Sequence, residues 1–199
     1  MFNSKEYWNT RYVKGDNSGA GSYNNLATFK ADVINTFIRD NSIRSIIDYG
    51  MGDGNQLKLL ELNGLNYNGV DVSEYIVNNC RKEFTSSNLT FSHCDEFDFN
   101  QTADLVLSCD VIYHLIEDDV YEVYMNNLFS MSDKYVVIYA LDRDVHHCQH
   151  VRFRKFSDYI EKNLKEWKMI KHIPNKYAQH VLGKNNDTTS PSDFYIYKK

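Results

Sequence analysis

The sequence predicts an α/β protein, a three-layer αβα sandwich around a mostly parallel sheet that ends in an antiparallel hairpin. Three observations predict it. Short apolar runs alternate with segments of helical spacing, the pattern of a parallel sheet covered on both faces. A glycine-rich turn directly follows the first of those runs. Near the end, two strand-like runs have no helical segment between them, so they pair antiparallel.

The elements follow in order. Leu26, Phe29, Val33 and Phe37 fall at helical spacing and predict an amphipathic helix over Leu26–Arg39. Before it, Gly15–Ser22 is a loop rich in glycine and serine, expected to be mobile. Ser45–Asp48 reads as a strand, Asn55–Leu62 as a helix and Tyr67–Asp71 as a strand. Ser73 is placed to cap a helix that runs to about Lys82. Leu89–Ser92 and Asp104–Ser108 are further strands. Glu117–Met131 is a helix with Val120, Tyr124 and Leu128 on one face, and Tyr135–Ala140 is a buried strand. Phe156, Tyr159, Ile160 and Leu164 mark a last helix. Trp167–Ile173 and Asp193–Tyr197 form the closing hairpin across a polar loop.

Length and composition narrow the function. A chain of 199 residues predicts one domain, 1–199, with 1–40 as helical cap and lid and 41–199 as the core. The net charge of −5 argues against a broad nucleic-acid footprint. Cys80, Cys94, Cys109 and Cys148 form no CxxC pair and read as reduced thiols. Met1–Lys14 has no apolar stretch of the secretory kind, and no run is long enough to span a membrane, so a cytoplasmic location is expected.

The strongest chemical signal is Ile46-Ile-Asp-Tyr-Gly-Met-Gly-Asp-Gly-Asn-Gln56, a strand running into glycines. Glycines let the backbone turn sharply and approach a ligand, and the amides beyond them favour an anionic group. Asp71 ends the second strand about 20 residues later, where a carboxylate accepts both ribose hydroxyls in nucleotide-binding folds. The dinucleotide fingerprint GxGxxG is not met. Gly50 and Gly52 are present, Asn55 stands at the third position, and the pattern is GxGxG through Gly54.

Asp48-Tyr-Gly-Met-Gly-Asp-Gly54 resembles the first motif of class I S-adenosylmethionine (SAM) methyltransferases, and Asp71 is similar to the acidic residue of their second. Asp95 or Glu96 resembles the residue that meets the adenine amino group. Asp104-Leu-Val-Leu-Ser-Cys-Asp-Val-Ile-Tyr-His-Leu115 resembles the fourth motif, whose strand ends beside the methyl donor. The resemblance implies a Rossmann-like seven-stranded sheet with a reversed last strand and SAM as cofactor. It implies cofactor contacts from Tyr12, Asp48, Tyr49, Gly50, Gly52, Asn55, Asp71, Val72, Asp95, Glu96, Cys109 and Asp110. Tyr7-Trp-Asn-Thr-Arg-Tyr12 resembles a leader whose aromatic residues cover the methionine half of SAM. Packing of Trp8 and Tyr12 onto the sheet is the plainer alternative. The runs Ser18–Ala31 and His150–Phe156 are similar to a subfamily associated with bacterial or viral carbohydrate genes.

The acceptor side is expected just past the fourth and fifth strands. His114 suits proton removal, or is structural. Tyr113 is a candidate acceptor contact. Arg152 and Arg154 are placed at a helix start, where they hold a phosphate or are solvated. Lys30 either meets the cofactor carboxylate or is solvated. His146, His147, Cys148 and His150 lack a metal site's spacing and read as an exposed loop, with Asp142 and Asp144 a lesser cation alternative; no metal is expected. The expected reaction is methyl transfer to a small molecule, first a sugar or nucleotide-sugar hydroxyl, with a phosphate-bearing acceptor among the candidates. The alternatives are ribose methylation of nucleic acid, a non-catalytic SAM-binding subunit and a nicotinamide-dependent oxidoreductase.

Overall fold

A computed structural model describes residues 2–199. The chain runs α1 (Ser4–Val13), α2 (Asn24–Asp40), β1 (Ser45–Tyr49), β2 (Asn66–Asp71), α3 (Glu74–Glu83), β3 (Leu89–His93), β4 (Ala103–Cys109), α4 (Asp118–Ser130), β5 (Ser132–Ala140), β6 (Val145–Cys148), β7 (Val151–Phe153), α5 (Phe156–Asn163), β8 (Lys168–Ile173) and β9 (Asp193–Lys198). Seven strands form one sheet in the order β3-β2-β1-β4-β5-β9-β8. The first five are parallel, and β9 is antiparallel to both β5 and β8. The predicted hairpin is therefore real, with its second strand inserted beside β5 and its first at the edge.

The sheet separates two apolar layers. Phe29, Ile34 and Ile38 of α2 and Ile76, Val77 and Cys80 of α3 cover one face, over Ile46, Leu105 and Tyr139. Tyr124, Met125 and Leu128 of α4 and Phe156 and Ile160 of α5 cover the other, over Ile47, Val106 and Ile138. Alternate residues of β4 thus enter opposite layers, as the period of two requires. Ser73 caps α3 as predicted, its side chain accepting from the Ile76 amide.

Three local expectations need correction. Asn55–Leu62 is no α-helix; only Leu57–Leu59 forms a short 3-10 turn. Its apolar spacing is helical, but Asn35 of α2 takes the backbone instead. Asn35 donates to the Leu59 carbonyl at 3.0 Å and accepts from the Glu61 amide at 2.9 Å. The histidine segment is no exposed loop but the small β6–β7 hairpin, which pairs His146 with Arg152. Arg152 and Arg154 accordingly do not begin a helix. Arg152 lies in β7 between buried Val151 and Phe153, and α5 starts at Phe156. Asp142 and Asp144 accept the backbone amides of Ser157 and Lys155, organising that start rather than facing a cation.

Candidate active site

At the carboxyl ends of β1, β2 and β4 lies a cleft of about 390 Å³. That is where ligands sit in open α/β sheets, and the volume suits a small-molecule cofactor. The turn after β1 forms its floor. Gly50 has φ +92° and Gly52 has φ +62°, conformations that side chains rarely adopt. A Cβ on Gly50 would stand 2.4 Å from Val111, and one on Gly52 would stand 2.4 Å from the Ser18 hydroxyl. The glycines are needed for close approach as well as for the turn.

Two buried carboxylates flank this floor. Asp71 accepts the Gly52 amide at 3.0 Å and the Ser73 amide at 2.9 Å. Burial raises its pKa, and those amides oppose the rise. Asp48 accepts the Tyr67 hydroxyl at 2.8 Å. Burial pushes its pKa up to about 6, against the Tyr67 bond and the charge of Lys30. A cationic ligand group beside Asp48 would favour its ionised form. Gln56 also lines the cleft. Its Nε2 donates to the Ala27 carbonyl at 3.2 Å, and its buried Oε1 has no partner among the described residues. Glycine amides, a ribose-type carboxylate, an acidic floor and an open acceptor fit the groups of SAM.

Helix α1 crosses the cleft from above. Ser4 donates through amide and hydroxyl to Glu117, Lys5 pairs with Asp95 at 2.5 Å, and the Asn9 and Ser73 side chains hydrogen-bond at 2.9 Å. The lid loop is fastened too. Asp53 accepts from the Ser18 amide at 2.9 Å and from the Tyr23 hydroxyl at 2.7 Å. The Ser18 hydroxyl in turn accepts from the Asp53 amide at 2.9 Å.

A second cavity of about 250 Å³ lies beyond, bounded by α1, the β6–β7 hairpin and the loop before β9. Trp8, Ser18, Asp110 and His114 line both spaces. Asp110 follows β4 directly and is held at φ +61°, an uncommon state for a residue with a side chain. Its Oδ2 accepts the Lys30 ammonium at 2.7 Å, and its Oδ1 accepts the Tyr113 hydroxyl at 2.8 Å. Lys30, almost wholly buried, is therefore not solvated. His114 donates from Nδ1 to the His150 carbonyl at 2.9 Å, which leaves Nε2 as the acceptor. Burial lowers its pKa to about 4, so the ring is neutral at physiological pH. Its edge meets Trp8 at 4.6 Å.

Most of the expected site residues converge. Tyr12, Asp48, Tyr49, Gly50, Gly52, Asp71, Val72, Asp95, Cys109, Asp110 and His114 line the first cleft, and Tyr113 lines the second cavity. Four do not line either space. Asn55 ties the lid loop by donating to the Ser22 carbonyl at 2.6 Å. Glu96 is exposed and pairs with Arg81 at 3.5 Å. Arg154 is buried, donates to the Leu115 and Ile116 carbonyls and pairs with Asp118 at 2.9 Å. Arg152 reaches the Ile116 carbonyl and the same Asp118. These arginines brace the entry to α4. Sequence reasoning missed Lys5, Gln56 and the wall formed by the loop before β9. Only Gln56 stood inside a recognised motif.

The profile of the Methyltransferase domain family matches residues 47–127, from β1 into α4. No curated protein matches the chain. Among solved structures it is similar to the N-methyltransferase NodS of Bradyrhizobium japonicum bound to S-adenosylhomocysteine (TM-score 0.72, 14% identity, 100% of this chain and 99% of that one). It is also similar to a SAM-dependent methyltransferase of Anabaena variabilis (0.69, 17%, 100% and 96%). A third similar structure is the magnesium protoporphyrin IX methyltransferase of Synechocystis bound to SAM (0.64, 16%, 100% and 98%). Residues 47–127 thus match a methyltransferase domain, and the sheet order and the cleft agree with the fold of solved SAM-dependent methyltransferases.

Proposed function

We propose that the chain methylates a hydroxyl of a small, sugar-like acceptor seated in the second cavity. The observation that carries this reading is the wall the two spaces share, Trp8, Ser18, Asp110 and His114, across which a donor in the first and an acceptor in the second would face each other. Bound SAM supplies a methyl on a sulfonium, a good leaving group, so the protein's contribution is mainly alignment. Asp71 would hold the ribose, the glycine turn and Gln56 the amino-acid end, and Asp95 the adenine. Trp8 and Tyr12 line the same cleft and would face the sulfonium, since aromatic faces favour a cation. In the second cavity, aromatic faces of Tyr7 and Tyr113 stand beside polar Gln179, Asn186 and Thr189. That mixture suits a hydroxylated ring.

The proton of the attacking hydroxyl goes to Nε2 of His114. A weak base suffices, because the hydroxyl becomes strongly acidic as its oxygen bonds to carbon. Two measurements test the reading. Calorimetry should show S-adenosylhomocysteine binding, weakened roughly ten- to a hundredfold by Asp71→Ala through loss of charged hydrogen bonds. Unchanged affinity would remove Asp71 from the site. Release of S-adenosylhomocysteine should then rise with sugars or nucleotide sugars. Turnover confined to amine or thiol acceptors would overturn the hydroxyl assignment.

A further inference from the structure

We propose that the second cavity grips an anionic group of the acceptor, a phosphate or a carboxylate, between Arg11 of α1 and His147 and His150 of the β6–β7 hairpin. This rests on the reading of that cavity as the acceptor's and adds the charge of what it takes. The chain as a whole carries −5, yet apart from Tyr7 and Tyr113 the ionisable side chains lining this cavity are Arg11, three histidines and the carboxylate of Asp110. Asp110 already has both oxygens engaged, by Lys30 and by Tyr113.

Arg11 donates from Nε to the Asn17 carbonyl at 2.9 Å, which fixes its plane. Its guanidinium lies 5.6 Å from the Trp8 ring centre, at the cavity wall. Among the described residues it forms no ion pair, whereas Arg39, Arg44, Arg81, Arg152 and Arg154 each face a carboxylate. His150 stacks on Tyr7 at 5.0 Å. Burial first, then the charges of Arg11 and His147, hold its pKa below the ordinary value, so the three side chains share one field. A planar guanidinium with free N–H groups beside imidazoles matches the oxygens of phosphate or carboxylate. The cations that were expected from Arg152 and Arg154 are thus supplied from a different element.

The test is calorimetry on the full chain saturated with S-adenosylhomocysteine, at a mildly acidic pH. Inorganic phosphate and acetate are the probes. One anion should bind, and Arg11→Gln should weaken it about tenfold or more, the loss of one charge-assisted contact. His147→Gln, on the opposite wall, should weaken it several-fold without touching α1. Both variants should keep the wild-type affinity for S-adenosylhomocysteine, since neither residue lines the first cleft. A preference for phosphate points to a phosphorylated acceptor, and a preference for acetate to an acidic sugar. Absence of anion binding, or equal binding in both variants, overturns the proposal. A wild-type chain that does not bind S-adenosylhomocysteine instead overturns the methyl-transfer reading, and the anion titration is then scored without it.

Discussion

His114 shows how one side chain serves both packing and chemistry. Its Nδ1–H is fixed by the His150 carbonyl and its ring edge by Trp8, so orientation and tautomer are set before any ligand arrives. With a pKa near 4 it needs no deprotonation to act as a proton acceptor. His114→Ala is expected to lower kcat by roughly 10²–10⁴ while S-adenosylhomocysteine affinity stays nearly constant. Single-turnover rates with a competent acceptor measure this. A kcat within about threefold of wild type leaves the histidine purely structural. Lys30 and Asp110 are the neighbouring case. Removing one member of a buried ion pair costs about 3–5 kcal/mol by stranding the other charge, so loss of activity in their variants has to be read beside thermal melts. Of these residues, His114 and Asp110 were legible because they follow an apolar strand in a motif. The fate of Lys30 was not, since its one decisive partner is 80 residues away.

At the scale of elements, the alternation of strands and helices was readable because burial writes a period into the chain. Where tertiary bonds override period, the reading failed. Asn35 draws 59–61 out of the helix that leucine spacing suggested. The short alternation Val151-Arg152-Phe153 was lost beside the histidines. The Gly15–Ser22 lid was legible as a glycine loop, but its latch on Asp53 lies 35 residues away from Ser18 and left no local mark. Helix α1 buries only Ser4 and Tyr12, and its other ties include the exposed pair Lys5–Asp95; surface ion pairs contribute only about 0–1 kcal/mol each. It therefore suits a cap that opens to admit ligand and closes over it. Amides of α1 and of Gly15–Ser22 are expected to exchange more slowly once S-adenosylhomocysteine is bound, with the β4–β5 centre unchanged. Hydrogen exchange with mass detection checks this. Equal rates with and without ligand would make the segment a fixed wall.

For the molecule as a whole, the site draws on stability that the rest of the fold supplies. Asp48 is the clearest instance. It is 5% exposed, and among the described residues Tyr67 is its single side-chain hydrogen-bond donor. Lys30 and Asp71 are the charged groups that act on it. A carboxyl whose pKa is about 6 in the folded chain and 3.8 without burial binds more protons folded than unfolded across that interval. Stability therefore falls as pH rises through the interval, and the penalty is complete above it. The difference amounts to about 3 kcal/mol at 1.36 kcal/mol per unit. Asp48→Asn keeps an oxygen for the Tyr67 hydroxyl and removes the charge. Its melting temperature should match that of wild type below about pH 3, where Asp48 is protonated in either state. The gap should widen to several degrees above about pH 7, at roughly 2–4 °C per kcal/mol for a chain of this size. Thermal melts of the two proteins across that range decide it. A gap that stays flat with pH would mean that Asp48 is already ionised at pH 4, its charge held by Lys30, and that the carboxylate costs the fold nothing.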